Sequence, residues 1–167
     1  MIRHAVLFAF LSASVPAVAG EESRLISETP AAGWRGVDAP FLIADQSGVA
    51  PLSLANRPLD AWMRARVVLG NRTYLNNFLN WHLAELEKRG ARITFRATEQ
   101  YDIRKASATY VIAGEGRARA GRIIMRPIAP HSEIVFFLYG EWRQSDDEVG
   151  RQSFETVWQS LKIRAAP

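Results

Sequence analysis

Hydrophobic and polar positions recur along this chain with two periods, and each change of period marks a boundary between strand and helix. From Thr73 to Arg89, Leu75, Phe78, Leu79, His82, Leu83 and Leu86 follow the three- and four-residue spacing that lays one stripe along a helix. Asn71 or Thr73 can cap its start, Lys88 and Arg89 complement its dipole, and Gly90 supplies the residue that stops it. Ala91 to Thr98 then alternates strictly. Ile93, Phe95 and Ala97 take one side, while Arg92, Thr94, Arg96 and Thr98 take the other, which predicts a strand with one wet face. Further strands are predicted at the end of Ala61 to Leu69, at Ala106 to Ala113, at Arg119 to Arg126 and at Glu133 to Trp142. Turns at Gly114-Glu115-Gly116 and Pro127 to Pro130 are short enough to make neighbouring strands antiparallel.

Two stretches read differently. Trp34 to Leu59 is broken by Pro40, Pro51 and Pro58 and suits short edge strands. Ser145-Asp146-Asp147-Glu148 spells a capping box, and Phe154, Val157, Trp158 and Leu161 predict a closing helix that ends near Ile163. The assembled order is an α+β fold in which two main helices cover an antiparallel β-sheet.

That layout resembles a known pattern. Gly33-Trp34, an apolar strand running into the helix from Thr73 to Gly90, a meander with Gly114 and Gly116 at a turn, and a last helix containing Phe154, Val157, Trp158 and Ser160-Leu161-Lys162-Ile163 are similar to the Mog1/PsbP-like superfamily, including the bacterial DcrB-like proteins. The similarity is one of layout and extends over residues 34 to 163. It implies an α/β/α sandwich and a non-catalytic role as an assembly factor, accessory subunit, chaperone or binding partner of a larger machine. No catalytic residue carries over from it.

The N-terminus changes the picture of where the protein works. Arg3 and His4 precede the apolar run from Ala5 to Leu11, and Ala17-Val18-Ala19 with Gly20 is a small-residue cleavage pattern, so residues 1–19 read as a signal peptide. The run is too short to span about 30 Å of hydrocarbon. Residues 20–32 read as a flexible leader and 33–167 as a single domain, periplasmic or secreted after cleavage near Ala19. The expected protein makes no membrane span.

Composition mainly excludes. With no cysteine among 167 residues there is no disulfide framework, thiolate nucleophile, lipoprotein anchor or Cys-ligated metal centre. The pI near 9.8 invites a nucleic-acid reading, but the net charge is only +4, no binding motif accompanies it and an exported protein meets little nucleic acid, so no such partner is expected.

The search for chemistry finds candidate binding residues and no catalytic set. His82 falls on the apolar stripe and reads as a core histidine, and His131 lies in a turn. Neither has the spacing of a metal site, and the chain lacks GxSxG, so no catalytic residue, cofactor or metal is expected. The carboxylates of Glu21-Glu22, Glu85/Glu87 and Asp146-Asp147-Glu148 are accounted for by the leader, a solvated face and a helix start. Gly114, Gly116 and Gly121 read as turn glycines rather than a phosphate loop. Arg117, Arg119, Arg122 and Arg126 share one hairpin, and Arg92 and Arg96 share one strand face. If those strands are neighbours, the arginines form one basic patch; otherwise they are a solvated face balanced by Glu99, Glu115 and Glu133. Trp81 lies off the helix stripe and either anchors an interface or packs on a loop. The resulting expectation is an exported non-catalytic binding module, accessory to a protein partner in the envelope. The alternative is a small envelope hydrolase with His82 or His131 as its base.

Overall fold

The computed structural model describes residues 23–28, 32–37, 47–97, 103–114, 117–130 and 132–165, with backbone alone at 95–97 and 103. Seven strands form one antiparallel sheet in the order β2-β3-β4-β8-β7-β6-β5, where β2 is Arg35–Gly36, β3 Leu52–Asn56, β4 Ala61–Leu69, β5 Ala91–Ala97, β6 Ala106–Ile112, β7 Arg119–Pro127 and β8 Ile134–Arg143. Helix α1 (Arg72–Lys88) packs on one face and α2 (Asp147–Ser160) on the other, so the fold is α+β with one helix per face. Among the described residues no helix is long and apolar enough to cross a membrane.

The helix stripe does what its spacing requires. Leu75, Phe78, Leu79, His82 and Leu86 are the buried residues of α1, and they meet Tyr110, Ile123, Met125 and Phe137 from the sheet. Asn71 is the N-cap, its side chain accepting a hydrogen bond from the Tyr74 N–H at 3.0 Å. On the opposite face Phe154, Val157 and Trp158 of α2 meet Met63, Leu138 and Trp142. Each such apolar side chain contributes roughly 1.5–3 kcal/mol when fully buried. Central β8 lies between the two helices, which explains its unbroken buried run from Val135 to Leu138.

Close approach is secured by two glycines. A Cβ on Gly150 would run into the Trp142 ring, so α2 sits directly on that ring. Gly121 is a strand residue of β7 rather than a turn glycine, and its missing side chain makes room for the Tyr110 ring from β6.

Three expectations need correction. Residues 24–27, expected in a flexible leader, form strand β1 (Arg24–Ser27), which pairs antiparallel with β9 (Leu161–Arg164). Leu25 and Leu161 are buried at 2% and 3% exposure, and Leu25 N–H donates to Ala50 C=O at 2.9 Å. The last helix consequently stops at Ser160, and the chain beyond it turns extended to pair with β1 instead of continuing to Ile163. Finally, the capping box does not form. A 3₁₀ turn over Gln144–Asp146 leads into α2, Asp146 is the N-cap without a side-chain cap bond, and Glu148 bonds Arg151 and Gln152 instead.

Candidate functional site

The helices do not cover equal parts of the sheet. Under α1 the packed side chains come from β5, β6, β7 and β8 together with Val68 of β4; under α2 they come mainly from β3, β4, β8 and β7. Among the described residues the α2 side of β5 and β6 is therefore bare. One register row shows the emergence directly: Trp142, Ala120, Val111 and Arg92 are successive cross-strand partners. Trp142 is 1% exposed and Ala120 4%, whereas Val111 is 37% exposed and Arg92 is exposed. The next row, Gly140, Arg122, Thr109 and Thr94, ends in two exposed threonines.

Where α2 stops short of β5, a groove opens. Two adjoining hollows of about 230 and 330 Å³ share Thr94, Thr109, Arg122 and Arg151 as walls. Arg92 and Val111 line the first, Ser107 the second, and Gln144 and Asp147 close the end near the start of α2. The charged residues on these walls are Arg92, Arg122, Arg151 and Asp147. Arg92 makes no ion pair among the described residues. Arg122 bonds Glu155 at 3.1 Å and lies 5.7 Å from the Phe154 ring centroid. Arg151 pairs with Asp147 at 3.2 Å and Glu148 at 2.8 Å, and Asp147 also accepts a bond from the Trp142 indole N–H at 3.0 Å. Three guanidiniums, hydroxyls and one carboxylate, set on the sheet and on α2, can hold a polar anionic group.

The structure distributes the sequence candidates among three places. Arg92 and Arg122 meet at the groove. Arg96 is the register partner of Ser107 on the same strand as Arg92. Arg117 is exposed in the turn before β7, where its N–H donates to Gly114 C=O at 3.3 Å. The hairpin arginines do not join β5 as a group: β6 lies between β5 and β7, and of them Arg122 lines the groove with Arg92 while Arg117 stays in the turn. Arg119 goes to the other face of β7 altogether. There it bonds Glu141 at 3.1 Å and Asp60 at 2.5 Å.

Glu141 is the centre of that second arrangement. Only 4% of its side chain is exposed, and its oxygens accept from Arg89 at 2.9 and 3.0 Å, from Arg119 Nε at 3.1 Å and from the Tyr110 hydroxyl at 3.4 Å. Burial, and then the neighbouring carboxylate, push the Tyr110 phenol well above its ordinary pKa, so it stays protonated and donates. The hydrogen bond to Glu141 likewise raises Arg89. This is a closed structural cluster, and Arg119 belongs to it.

Trp81 is half-buried and meets the His82 ring edge-on at 4.9 Å. His82 itself is packed among Phe78, Trp81, Phe137 and Tyr139, with ring centroids 4.7–5.4 Å away, and its Nε2 has no hydrogen-bond partner among the described residues. Burial first, then the Arg66 charge, lower its pKa from 6.5 to about 4, so the ring is neutral near pH 7. It is a core side chain. His131 lies outside the described residues, as do the signal and cleavage segment and the balancing Glu99 and Glu115.

Sequence reasoning missed Arg151, Thr109 and Gln144. A signal for them exists: β6 presents Ser107, Thr109 and Val111 on the side opposite its buried Ala106, Ala108, Tyr110 and Ile112, so two adjacent strands carry largely polar outer faces. No helix can bury such a face.

No protein-family model matches the sequence, and comparison with curated proteins gives no significant match. Among solved structures, the fold is similar to that of LpqN, described as involved in cell envelope biogenesis of Mycobacterium tuberculosis. The TM-score is 0.50, the identity 12%, and the similarity covers 91% of this chain and 88% of that one. At this identity the likeness is one of fold.

Proposed function

We propose that this protein is an exported, non-catalytic binding module, cleaved near Ala19, that serves as an accessory or assembly factor for a protein complex of the cell envelope. Its binding face is the bare quarter of the sheet beside α2. The single observation that carries this reading is the emergence of Val111, Arg92, Thr109 and Thr94 from under α2 as an exposed polar surface beside a charged groove. A rigid sheet presenting arginine forks is suited to holding an anionic ligand. The envelope setting is supported by the N-terminal signal pattern and by the fold shared with LpqN, itself described as involved in envelope biogenesis. The Mog1/PsbP-like layout supports the accessory role. No observation favours the hydrolase alternative: His82, its one described base, is packed among aromatic rings.

The test is affinity capture of the tagged protein from its native envelope after brief crosslinking, with Arg92→Glu and Trp81→Ala run beside the wild type. Loss of a reproducible partner with Arg92→Glu supports the groove as the binding face. Loss with Trp81→Ala alone moves the binding face to the flank of α1, and recovery of folded protein without any partner overturns the accessory reading.

A further inference from the structure

We infer that the groove between α2 and strands β5 to β7 is a binding site for a phosphorylated polyol, with Arg92, Arg122 and Arg151 on the phosphate and Thr94, Thr109 and Asp147 on the hydroxyl groups. This rests on the binding-module reading and names the class of ligand that the face takes.

The argument begins with the directions from which charge arrives. Arg92 comes from β5, Arg122 from β7 and Arg151 from α2, so three planar forks border one hollow from three elements. A carboxylate offers two coplanar oxygens, which one or two forks satisfy; a phosphate offers three terminal oxygens disposed around phosphorus and matches donors arriving from several sides. Asp147 is the one carboxylate among these walls, while Glu155 and Glu148 pair with Arg122 and Arg151 and leave Arg92 as the uncompensated charge among the described residues.

The present partners of two of these arginines do not oppose binding. Glu155, Glu148 and Asp147 are 42%, 70% and 41% exposed, so their bonds to Arg122 and Arg151 compete with water and are readily exchanged. Arg92 has nothing to give up. Its exposed guanidinium makes no ion pair among the described residues.

The remaining walls select the body of the ligand. Trp142 and Tyr110 line the first hollow yet are only 1% and 2% exposed, which leaves no aromatic face on which a nucleobase could stack. The accessible uncharged and acidic groups are instead the hydroxyls of Thr94 and Thr109, the carboxylate of Asp147, the Gln144 amide and the aliphatic Val111, which a ring's C–H face can meet. Asp147 would repel a second phosphate but accepts hydrogen bonds from hydroxyls, and the threonines both donate and accept. Hollows of about 230 and 330 Å³ are of the size of a single ring bearing a phosphate rather than of a long polymer. The same group, a phosphate monoester on a hydroxylated ring, occurs free, as a sugar phosphate, or attached to lipid, as the headgroup of a phosphorylated phosphatidylinositol.

Titration calorimetry on the full exported chain tests the inference. The probes are glucose 1-phosphate, unphosphorylated glucose, and vesicles of phosphatidylcholine with or without phosphatidylinositol 4-phosphate. The expected result is saturable binding of glucose 1-phosphate that weakens at least tenfold with Arg92→Gln and again with Arg122→Gln, falls as salt rises, and is absent with glucose. Binding to the phosphatidylinositol 4-phosphate vesicles that is lost in Arg92→Gln assigns the headgroup as the source; binding confined to the free sugar phosphate assigns the soluble one. No saturable binding to any phosphorylated probe, or binding indifferent to both arginine variants, overturns the inference. If the phosphorylated probes fail while envelope capture is still lost with Arg92→Glu, the ligand class falls and the binding face stands; if both fail, the face falls with it.

Discussion

The two faces of this sheet use arginine in opposite ways. Under α1, Arg89 and Arg119 close around Glu141, a carboxylate with 4% of its side chain exposed, and the phenol of Tyr110 completes its coordination. Beside α2, Arg92, Arg122 and Arg151 border an open groove, and their acidic partners, where they have any, are in contact with water. Arg119 and Arg122 are three residues apart on one strand and lie on opposite sides of it, since strand side chains alternate. Burial of the acid thus separates an arginine that holds the fold from one that is available to a ligand.

The largest effect is expected where the charge is buried. Removing Arg89 or Arg119 alone leaves Glu141 one guanidinium, but the double change to alanine leaves a buried carboxylate with a single phenolic donor. We expect the double variant to lose about 3–5 kcal/mol, more than the sum of the single losses, because an unpaired buried charge is the costly state. Urea denaturation of the four proteins measures it. Additive losses would place Glu141 in a more solvated setting and erase the contrast between the faces.

The second prediction also probes the α1 face. His82 is held neutral by burial, with a folded pKa of about 4 against 6.5 for the free side chain. Between these values the unfolded chain binds a proton that the folded chain refuses, so stability falls as pH drops from about 6.5 towards 4 and is fully retained above 6.5. The shift corresponds to a loss of about 3 kcal/mol across that window. His82→Phe should remove this component, seen as a smaller stability difference between pH 7.5 and 4.5 than in the wild type. An equal difference in both proteins would mean that His82 reaches water.

Much of this architecture was legible beforehand, and the reason is local. The α1 stripe, the alternation in β5 and the apolar run of β8 each lie within one element, so their burial is written in consecutive residues. What escaped depends on contacts distant in sequence. The pairing of Arg24–Ser27 with Leu161–Arg164 joins opposite ends of the described chain through two four-residue strands too short to show a period. Glu141, the partner of Arg89, lies 52 positions away, beyond any local pattern, while Lys88 stays in the last turn of α1, where its spacing places it, and bonds Glu85. The candidate site was half legible. Alternation marks Arg92 as solvent-facing, but only the strand order shows that Arg122, across β6, is the hairpin arginine that shares its groove and that Arg151 of α2 completes it.

The third prediction connects the covered and bare parts of the α2 face. Gly150→Ala places a methyl group against the Trp142 ring, which is 1% exposed and tied to Asp147 at 3.0 Å, so the ring cannot swing aside. Overpacking of this kind costs about 1–3 kcal/mol, against roughly 1 kcal/mol gained from alanine's better helix propensity. The net expectation is a lower urea midpoint. Because Asp147 and Arg151 ride on the same helix, the groove should lose ligand affinity together with stability.

Arg92→Ala is expected to have the smallest effect on stability and is the sharpest test of the contrast. Its side chain is exposed and, among the described residues, makes no ion pair, so unfolding should shift by no more than about 0.5 kcal/mol. Binding in the groove should weaken in the same variant. Arg89 and Arg119, paired with the buried Glu141, should give the reverse pattern, a large loss of stability with any change in binding following from unfolding. A substantial loss of stability in Arg92→Ala would mean that the bare quarter of the sheet is held by this arginine as the other face is held by Arg119, and the division between structural and ligand-facing arginines would no longer follow the two faces.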